Sequence, residues 1–274
     1  MSELAPEMQA IKEKMKKVWS TGDFGVIAKI IEEGGRNFIN RLNIKPTDKV
    51  LDAACGNGNL SIPAAKLGAV VTGIDFVPDL IRQANAKAKT EGLNVKFDIG
   101  DVEALPYRDN EFDVVVTMFG AMFAPRPEVT VSELLRVCKQ GGRVAMANWT
   151  REGTVGESFK INASYNPPPP NLPSPLEWGN EEIVKKRFGT GVSDLKLKRQ
   201  ILKMHVPMSP SDVAGHFIEY FGPTRVTFMS LDKESQARFR DDLTKFWQKY
   251  NKATDGTTKI DAEYLEVVGT KAGK

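Results

Sequence analysis

Cysteine and histidine are scarce in this sequence, with two of each among 274 residues. The two thiols, Cys55 and Cys138, provide neither a CxxC pair nor a disulfide framework, so they are predicted to be small buried side chains. His205 and His216 are the two imidazoles, which leaves few candidates for a general base. No metal site is predicted.

A strong excess of charge of one sign is also missing. The net charge is +3, and the short basic runs Lys12–Lys17 and Lys185–Arg187 are interpreted as solvated helix faces, so no nucleic-acid partner is expected. The longest mostly apolar run, Val114–Ala124, is too short to span a bilayer. The first residues lack the charged and then apolar pattern of a secretory signal. These absences predict no membrane insertion and a cytoplasmic location.

Strand and helix patterns alternate from residue 49 onward. Strands are predicted at 49–54, 69–75, 94–98, 112–118 and 142–148. Helices are predicted between them at 59–67, 78–91 and 127–138. This alternation predicts an α/β fold with a doubly wound parallel sheet and helices on both faces. Two later strands are predicted, at Leu195–Val206 with a bulge and at Tyr264–Thr270.

Helical patterns precede and interrupt this alternating pattern. Apolar spacing predicts a first helix from Leu4 to Trp19 and a second helix that Asp23 caps. Two more helices, Ser211–Phe221 and Asp232–Tyr250, are predicted between the last strands. The proline-rich segment Asn166–Pro175 is either an exposed linker or a rigid loop over the mouth of a site.

The segment Lys49–Leu60 reads as a buried strand, a glycine turn and a helix start. Gly56 and Gly58 allow the backbone to approach a ligand closely. A dinucleotide site would place a third glycine where Ser61 stands, which weakens that interpretation. Asp75, at the end of the next strand, suits the ribose hydroxyls of either a dinucleotide or S-adenosylmethionine.

Further acids favour S-adenosylmethionine. Asp52 precedes the turn, where it would serve the ammonium group of the methionine moiety. Asp101 and Val102 follow the third strand, where they would contact the adenine edge, and Phe76 would contact the adenine face. Because these residues stand at successive strand ends, we expect them to share one site.

The segments VLDAACGNGNL, GIDF, GDVEALPYRDNEFDVVV and ELLRVCKQGGRVAMANW resemble the class I S-adenosylmethionine-dependent methyltransferases. Within that class they are similar to the branch that includes the ubiquinone/menaquinone C-methyltransferases, and the resemblance covers residues 45–150 closely. It implies a seven-stranded, mostly parallel sheet with an antiparallel last strand. The cofactor-binding residues that it and the strand-end pattern predict are Asp52, Ala54, Gly56, Asn57, Gly58, Asp75, Phe76, Asp101, Val102, Thr117, Met118 and Phe119. Trp19 is added because it could fold over the cofactor.

The resemblance implies one methyltransferase domain over residues 1–274. Its predicted parts are a helical cap (1–44), the cofactor-binding core (45–150), a proline-rich loop and helix (151–193), and the last strands (194–274) with a helical insertion (209–259) that forms the substrate cap.

The activity implied is in-line methyl transfer from S-adenosylmethionine to a nucleophile on a small molecule, leaving S-adenosylhomocysteine. The acceptor atom, whether N, O, S or activated C, is not predicted. Predicted substrate-binding residues are Met122, Phe123, Asn148, Trp149, His216 and Tyr220, of which His216 and Tyr220 are the catalytic candidates. A non-catalytic S-adenosylmethionine-binding sensor or scaffold and an NAD-dependent oxidoreductase remain as alternatives.

Overall fold

The computed structural model describes residues 5–169 and 171–273. Its strands are β1 (Lys49–Ala53), β2 (Val70–Asp75), β3 (Lys96–Ile99), β4 (Phe112–Met118), β5 (Cys138–Trp149), β6 (Val192–Val206) and β7 (Thr258–Lys271). Its α-helices are α1 (Pro6–Trp19), α2 (Phe24–Arg41), α3 (Ser61–Lys66), α4 (Pro78–Thr90), α5 (Pro127–Val137), α6 (Thr154–Tyr165), α7 (Glu181–Phe188), α8 (Pro210–Tyr220), α9 (Gly222–Met229) and α10 (Lys233–Tyr250).

The strands form one seven-stranded sheet in the order β3-β2-β1-β4-β5-β7-β6. Strands β1 to β5 pair in parallel, whereas β7 runs antiparallel to both β5 and β6. The predicted fold class is therefore confirmed. Val50, Leu51, Val115 and Val116 are fully buried in the two central strands, as expected where helices cover both faces of a parallel sheet.

The two N-terminal helices form as the apolar spacing predicts. Asp23 caps α2, since its carboxylate accepts a hydrogen bond from the Gly25 N–H at 2.9 Å. Helix α1 begins at Pro6, so Leu4 of the predicted first helix lies outside the described residues. Both helices reach the carboxyl edge of the sheet, where Trp19 of α1 packs edge-on against Phe24 of α2.

Two details of the C-terminal part differ from the sequence prediction. The pairing of β6 with β7 is regular from Asp194 to Val206, and the irregularity lies earlier, between Val192 and Asp194. The bulge predicted within Leu195–Val206 is therefore wrong. Three helices, not two, lie between these strands. The additional one is α9, which begins with Gly222-Pro223 directly after α8, and a proline at the first turn suits a new helix rather than the continuation of an old one.

Candidate active site

A first cavity lies at the carboxyl edge of the parallel strands. Its floor is formed by residues that follow β1, β2, β3 and β4, the place where ligands bind in open α/β sheets. Lys12, Met15 and Trp19 of α1 and Phe24 of α2 close its outer side. The N-terminal helices therefore cover the cavity.

The turn after β1 is shaped by left-handed backbone conformations. Ala54 has φ +56°, Gly56 has φ +55° and Gly58 has φ +88°. Gly56 lines the first cavity, and a Cβ placed there would meet Phe24 at 3.7 Å. A Cβ at Gly58 would instead contact Ile62, Phe97 and Ala84. Gly58 thus permits the close packing of the turn on its neighbours and does not line the cavity.

Asp75 ties this turn to the end of β2. One carboxylate oxygen accepts the Gly56 N–H and the other accepts the Val77 N–H, each at 2.9 Å. Asp75 is 6% exposed, and this burial raises the pKa of its carboxyl group although the backbone hydrogen bonds oppose the rise. Each oxygen retains a free acceptor site for a ligand hydroxyl.

Asp52 is held by the residue that stands in place of the third glycine. The Ser61 hydroxyl donates to Asp52 Oδ2 at 2.6 Å, and both residues are buried. Burial raises the pKa of Asp52 to about 7, with a further rise from Asp75 and an opposing effect of the Ser61 hydrogen bond. Asp52 therefore changes charge near neutral pH. In the sequence, Ser61 indicates only that a dinucleotide is disfavoured, and its hydrogen bond to Asp52 becomes visible in the structure.

Asp101 forms an ion pair that the sequence did not predict. Its carboxylate contacts Lys12 of α1, and Lys12 Nζ also lies 2.5 Å from Glu103 Oε2. Glu103 is buried and paired with Arg126 at 2.7 Å. These contacts fasten α1 to the loop after β3 and place a cation over the edge of the first cavity.

Most of the predicted cofactor-binding residues line this first cavity. They are Trp19, Asp52, Ala54, Gly56, Asn57, Asp75, Phe76, Asp101, Val102, Met118 and Phe119. Gly58 and Thr117 are not among the described residues that line it. Thr117 is buried, and its hydroxyl accepts the Ala121 N–H at 3.1 Å, so it supports the turn after β4.

A second cavity adjoins the first. Five residues line both cavities and form a side wall that the two share: Trp19, Phe24, Ile31, Phe119 and Phe123. The remaining lining comes from α2, α6, α8, α9 and α10 and from β5, β6 and β7, and is mostly aromatic and aliphatic. None of the described residues that line it carries a carboxylate, imidazole, thiol, phenol, ammonium or guanidinium group.

The predicted substrate-binding residues are divided by the structure. Phe123 and Trp149 line the second cavity. Met122 and Asn148 are each 1% exposed and are placed in the protein core, outside the described lining of both cavities. Trp149 stacks on Phe119 with a ring-centroid distance of 3.4 Å. The aromatic pair rather than the neighbouring core residues therefore faces the cavity.

His216 and Tyr220 lie in an open surface groove that shares no lining residue with either cavity. The residues that line the second cavity are each one position further along, at Phe217 of α8 and at Phe221 directly after the helix. The helix forms as predicted, but the prediction that His216 and Tyr220 face the substrate is wrong. The apolar aromatic side chains pack inward, and these two polar side chains lie near water. His205 is exposed on β6.

None of the described residues of the proline-rich segment, 166–169 and 171–175, lines either cavity. The interpretation of this segment as a loop over the mouth of the site therefore gains no support.

Within residues 5–169 and 171–273, no helix is long and apolar enough to span a bilayer.

A family profile described as a methyltransferase domain matches residues 44–190, more than half of the sequence. The chain belongs to the methyltransferase domain family. It is an S-adenosylmethionine-dependent methyltransferase, and S-adenosylmethionine is its cofactor. The predicted resemblance to the class I enzymes is confirmed. The comparisons support neither the oxidoreductase nor the non-catalytic binding module.

This methyltransferase is 35% identical to the uncharacterized protein Rv1403c of Mycobacterium tuberculosis over 248 residues, 89% of this chain and 90% of that protein. It is 35% identical to the ubiquinone/menaquinone biosynthesis C-methyltransferase UbiE of Bdellovibrio bacteriovorus over 149 residues, 53% of this chain and 63% of that protein. A solved structure of phosphoethanolamine N-methyltransferase 2 from Haemonchus contortus with S-adenosyl-L-methionine shares the fold. The TM-score is 0.55 at 21% identity, over 88% of this chain and 53% of that one.

The lining of the first cavity fits S-adenosylmethionine on its own chemistry. Two buried carboxylates, Asp52 and Asp75, face it, and Asn57 Oδ1 is buried with no hydrogen-bond partner among the described residues. These are acceptors for ammonium and hydroxyl groups. A pyrophosphate would meet the same carboxylates as like charges, which is unfavourable in a buried site.

Proposed function

We propose that this methyltransferase transfers the methyl group of S-adenosylmethionine to an apolar small molecule that binds in the second cavity, leaving S-adenosylhomocysteine. The observation that carries the proposal is the shared aromatic wall, in which Trp19, Phe119 and Phe123 line both cavities. Two ligands that meet along this shared wall would hold their reacting atoms next to each other, which is the main contribution a protein makes to methyl transfer.

The proposed roles of the residues in the first cavity follow from their positions. Asp75 accepts hydrogen bonds from the ribose hydroxyls, and Asp52 with Asn57 faces the ammonium group. Asp101 and Val102 lie at the adenine edge, and Phe76 lies against the adenine face. When bound, the cofactor supplies a methyl group already activated by its sulfonium.

The acceptor is proposed to bring its own nucleophilic atom in reactive form. Because no titratable side chain is found among the described lining residues of the second cavity, the lining offers no general base. A neutral amine or another uncharged atom with a free electron pair fits this environment. The cytoplasmic location expected from the sequence stays a prediction, as does the division of the domain into four parts.

Binding and turnover measurements test this function. Calorimetry should show binding of S-adenosylmethionine and S-adenosylhomocysteine to the purified protein and none of NAD. Incubation with S-adenosylmethionine labelled in the methyl group, across a panel of apolar amines, thiols, phenols and quinols, should label at least one acceptor. Binding of NAD alone would overturn the proposed activity, and labelling confined to polar or macromolecular acceptors would overturn the proposed acceptor class.

The affinity for S-adenosylmethionine is expected to rise with pH through about 7. Asp52 has a pKa of about 7 in the ligand-free protein, and the cationic amino-acid moiety favours its ionised form. Below this pH a proton must be released before the carboxylate can pair, so the affinity should fall by up to about tenfold per pH unit. Calorimetry between about pH 5.5 and 7.5 measures the slope.

A ligand and a variant serve as controls for this pH dependence. 5′-Methylthioadenosine lacks the amino-acid moiety, so its affinity should stay flat over the same range. Ser61→Ala removes the hydrogen bond that lowers the pKa of Asp52, so the transition should move to higher pH. An identical slope for both ligands, or an unshifted transition in Ser61→Ala, would assign the effect to another group.

A further inference from the structure

Helix α6 carries an unpaired polar atom that the proposed function has not used. Asn162 Oδ1 is buried and has no hydrogen-bond partner among the described residues, and Asn162 lines the second cavity. Its Nδ2 donates to the Ser158 carbonyl at 2.9 Å. This bond fixes which end of the amide is the donor and leaves the oxygen as the free acceptor.

An unpaired buried carbonyl is costly, because it has lost water and gained no partner. Buried polar atoms of this kind are few in folded proteins, and each calls for a partner. Asn57, which lines the first cavity, carries a buried and unpaired Oδ1 of the same kind. Asn162 is its counterpart among the residues that line the second cavity.

The rest of the second cavity offers little competing polarity. Among its described lining residues, the side chains with polar groups besides the tryptophans are Ser158, Asn162 and Thr224. The Ser158 hydroxyl donates to the Val155 carbonyl at 2.8 Å. Asn162 is therefore the residue best placed to fix the orientation of an otherwise apolar molecule.

The charge of the acceptor is restricted by the same lining. An anion would find no ammonium, guanidinium or imidazole group among the described residues of the cavity, and a cation would find no carboxylate. Burying an unpaired charge costs far more than burying an unpaired dipole. The cavity favours a molecule that is uncharged as it enters.

We infer that Asn162 is a specificity-determining residue, whose Oδ1 accepts a hydrogen bond from a single N–H or O–H group on an uncharged, otherwise apolar acceptor. The inference rests on the proposed function, since it assigns the second cavity to the acceptor. It names the chemical class of that acceptor as an apolar ring or chain with one donor group.

Two fluorescent naphthalenes test the inference without knowledge of the natural acceptor. 2-Naphthol has one O–H donor, and 2-methoxynaphthalene has the same rings without it. Their dissociation constants are measured by fluorescence titration, with and without saturating S-adenosylhomocysteine. The wild-type protein should bind 2-naphthol about tenfold more tightly, the scale of a hydrogen bond that satisfies a buried acceptor.

Asn162→Leu keeps the size of the side chain and removes its oxygen, so it should bind the two naphthalenes equally. Ser164→Ala, on the exposed side of the same helix, should keep the tenfold preference. Both variants should keep their thermal unfolding midpoints and their affinity for S-adenosylhomocysteine.

Three results would overturn the inference: absence of saturable binding of either naphthalene, equal affinities in the wild-type protein, and a preference that survives in Asn162→Leu. A failure of the proposed function looks different. In that case no apolar acceptor of the panel would be labelled, while the naphthalene preference could still be measured on the ligand-free protein.

Discussion

Replacing Asp75 with alanine is expected to weaken S-adenosylmethionine binding by about 1.5–3 kcal/mol, the scale of hydrogen bonds to a charged group. The carboxylate has two functions in this site. It receives the backbone N–H groups of Gly56 and Val77, which holds the glycine turn against the end of β2. Its remaining acceptor sites are the ones proposed to receive the ribose hydroxyls. Calorimetric titration of the purified variant measures the loss.

Matched variants separate the two functions of Asp75. Asp75→Asn keeps the size of the side chain and one acceptor oxygen, so it should lose less affinity than alanine. Asp79→Ala removes a carboxylate near the start of α4 whose side chain is 60% exposed, and it should leave the affinity unchanged. Thermal unfolding checks that each variant is folded. Unchanged affinity in a folded Asp75→Ala protein would remove Asp75 from the binding site.

The parallel core and most residues of the first cavity could be predicted because local sequence determines them. A strand that ends at Asp52 and a turn that needs left-handed φ at Gly56 and Gly58 leave the chain few alternatives. Once the strands are parallel, their carboxyl ends meet at one edge, so Asp75 and Asp101 come to the same cavity. This placement follows from the order and direction of the strands, without knowledge of any side-chain contact.

The contacts made by Lys12 and Ser61 could not be predicted in the same way. Lys12 meets Asp101 across 89 residues of sequence, and no periodic pattern marks which of the lysines in α1 faces the core. The sequence shows Ser61 at the position where a dinucleotide site has its third glycine. The hydrogen bond of Ser61 to Asp52, however, depends on how the first turn of α3 packs against β1. Side-chain pairing of this kind is set by tertiary packing, which sequence spacing does not report.

The second cavity was the least predictable part of the site. Its walls combine α1, α2, α6, α8, α9 and α10 with the ends of three strands, and α9 was not foreseen. Helical spacing predicts α8 but not which of its faces meets the cavity. His216 and Tyr220 each precede a cavity-lining residue, Phe217 or Phe221, by one position. One residue along a helix corresponds to a rotation of about 100°, so the two pairs of side chains face different directions.

Filling the second cavity is expected to abolish methyl transfer while leaving cofactor binding intact. Ser158 is half-buried in α6 and lines the second cavity but not the first. Ser158→Trp would project an indole into the space proposed for the acceptor. The rate of methyl transfer to the best acceptor of the panel should fall by at least about 100-fold, equivalent to about 2.7 kcal/mol. Affinity for S-adenosylmethionine should remain within about twofold of the wild-type value, because the indole does not reach the first cavity.

Two further substitutions on α6 decide whether the loss comes from the cavity. Ser164→Trp places the same indole on the exposed side of the helix, so turnover should be kept. Ser158→Ala leaves the space open and should also be active. Overpacking can cost about 1–3 kcal/mol of stability, so the thermal unfolding midpoint of Ser158→Trp must stay above the assay temperature. Full turnover in a folded Ser158→Trp protein would show that the acceptor binds elsewhere, and the shared aromatic wall would then lose its proposed role.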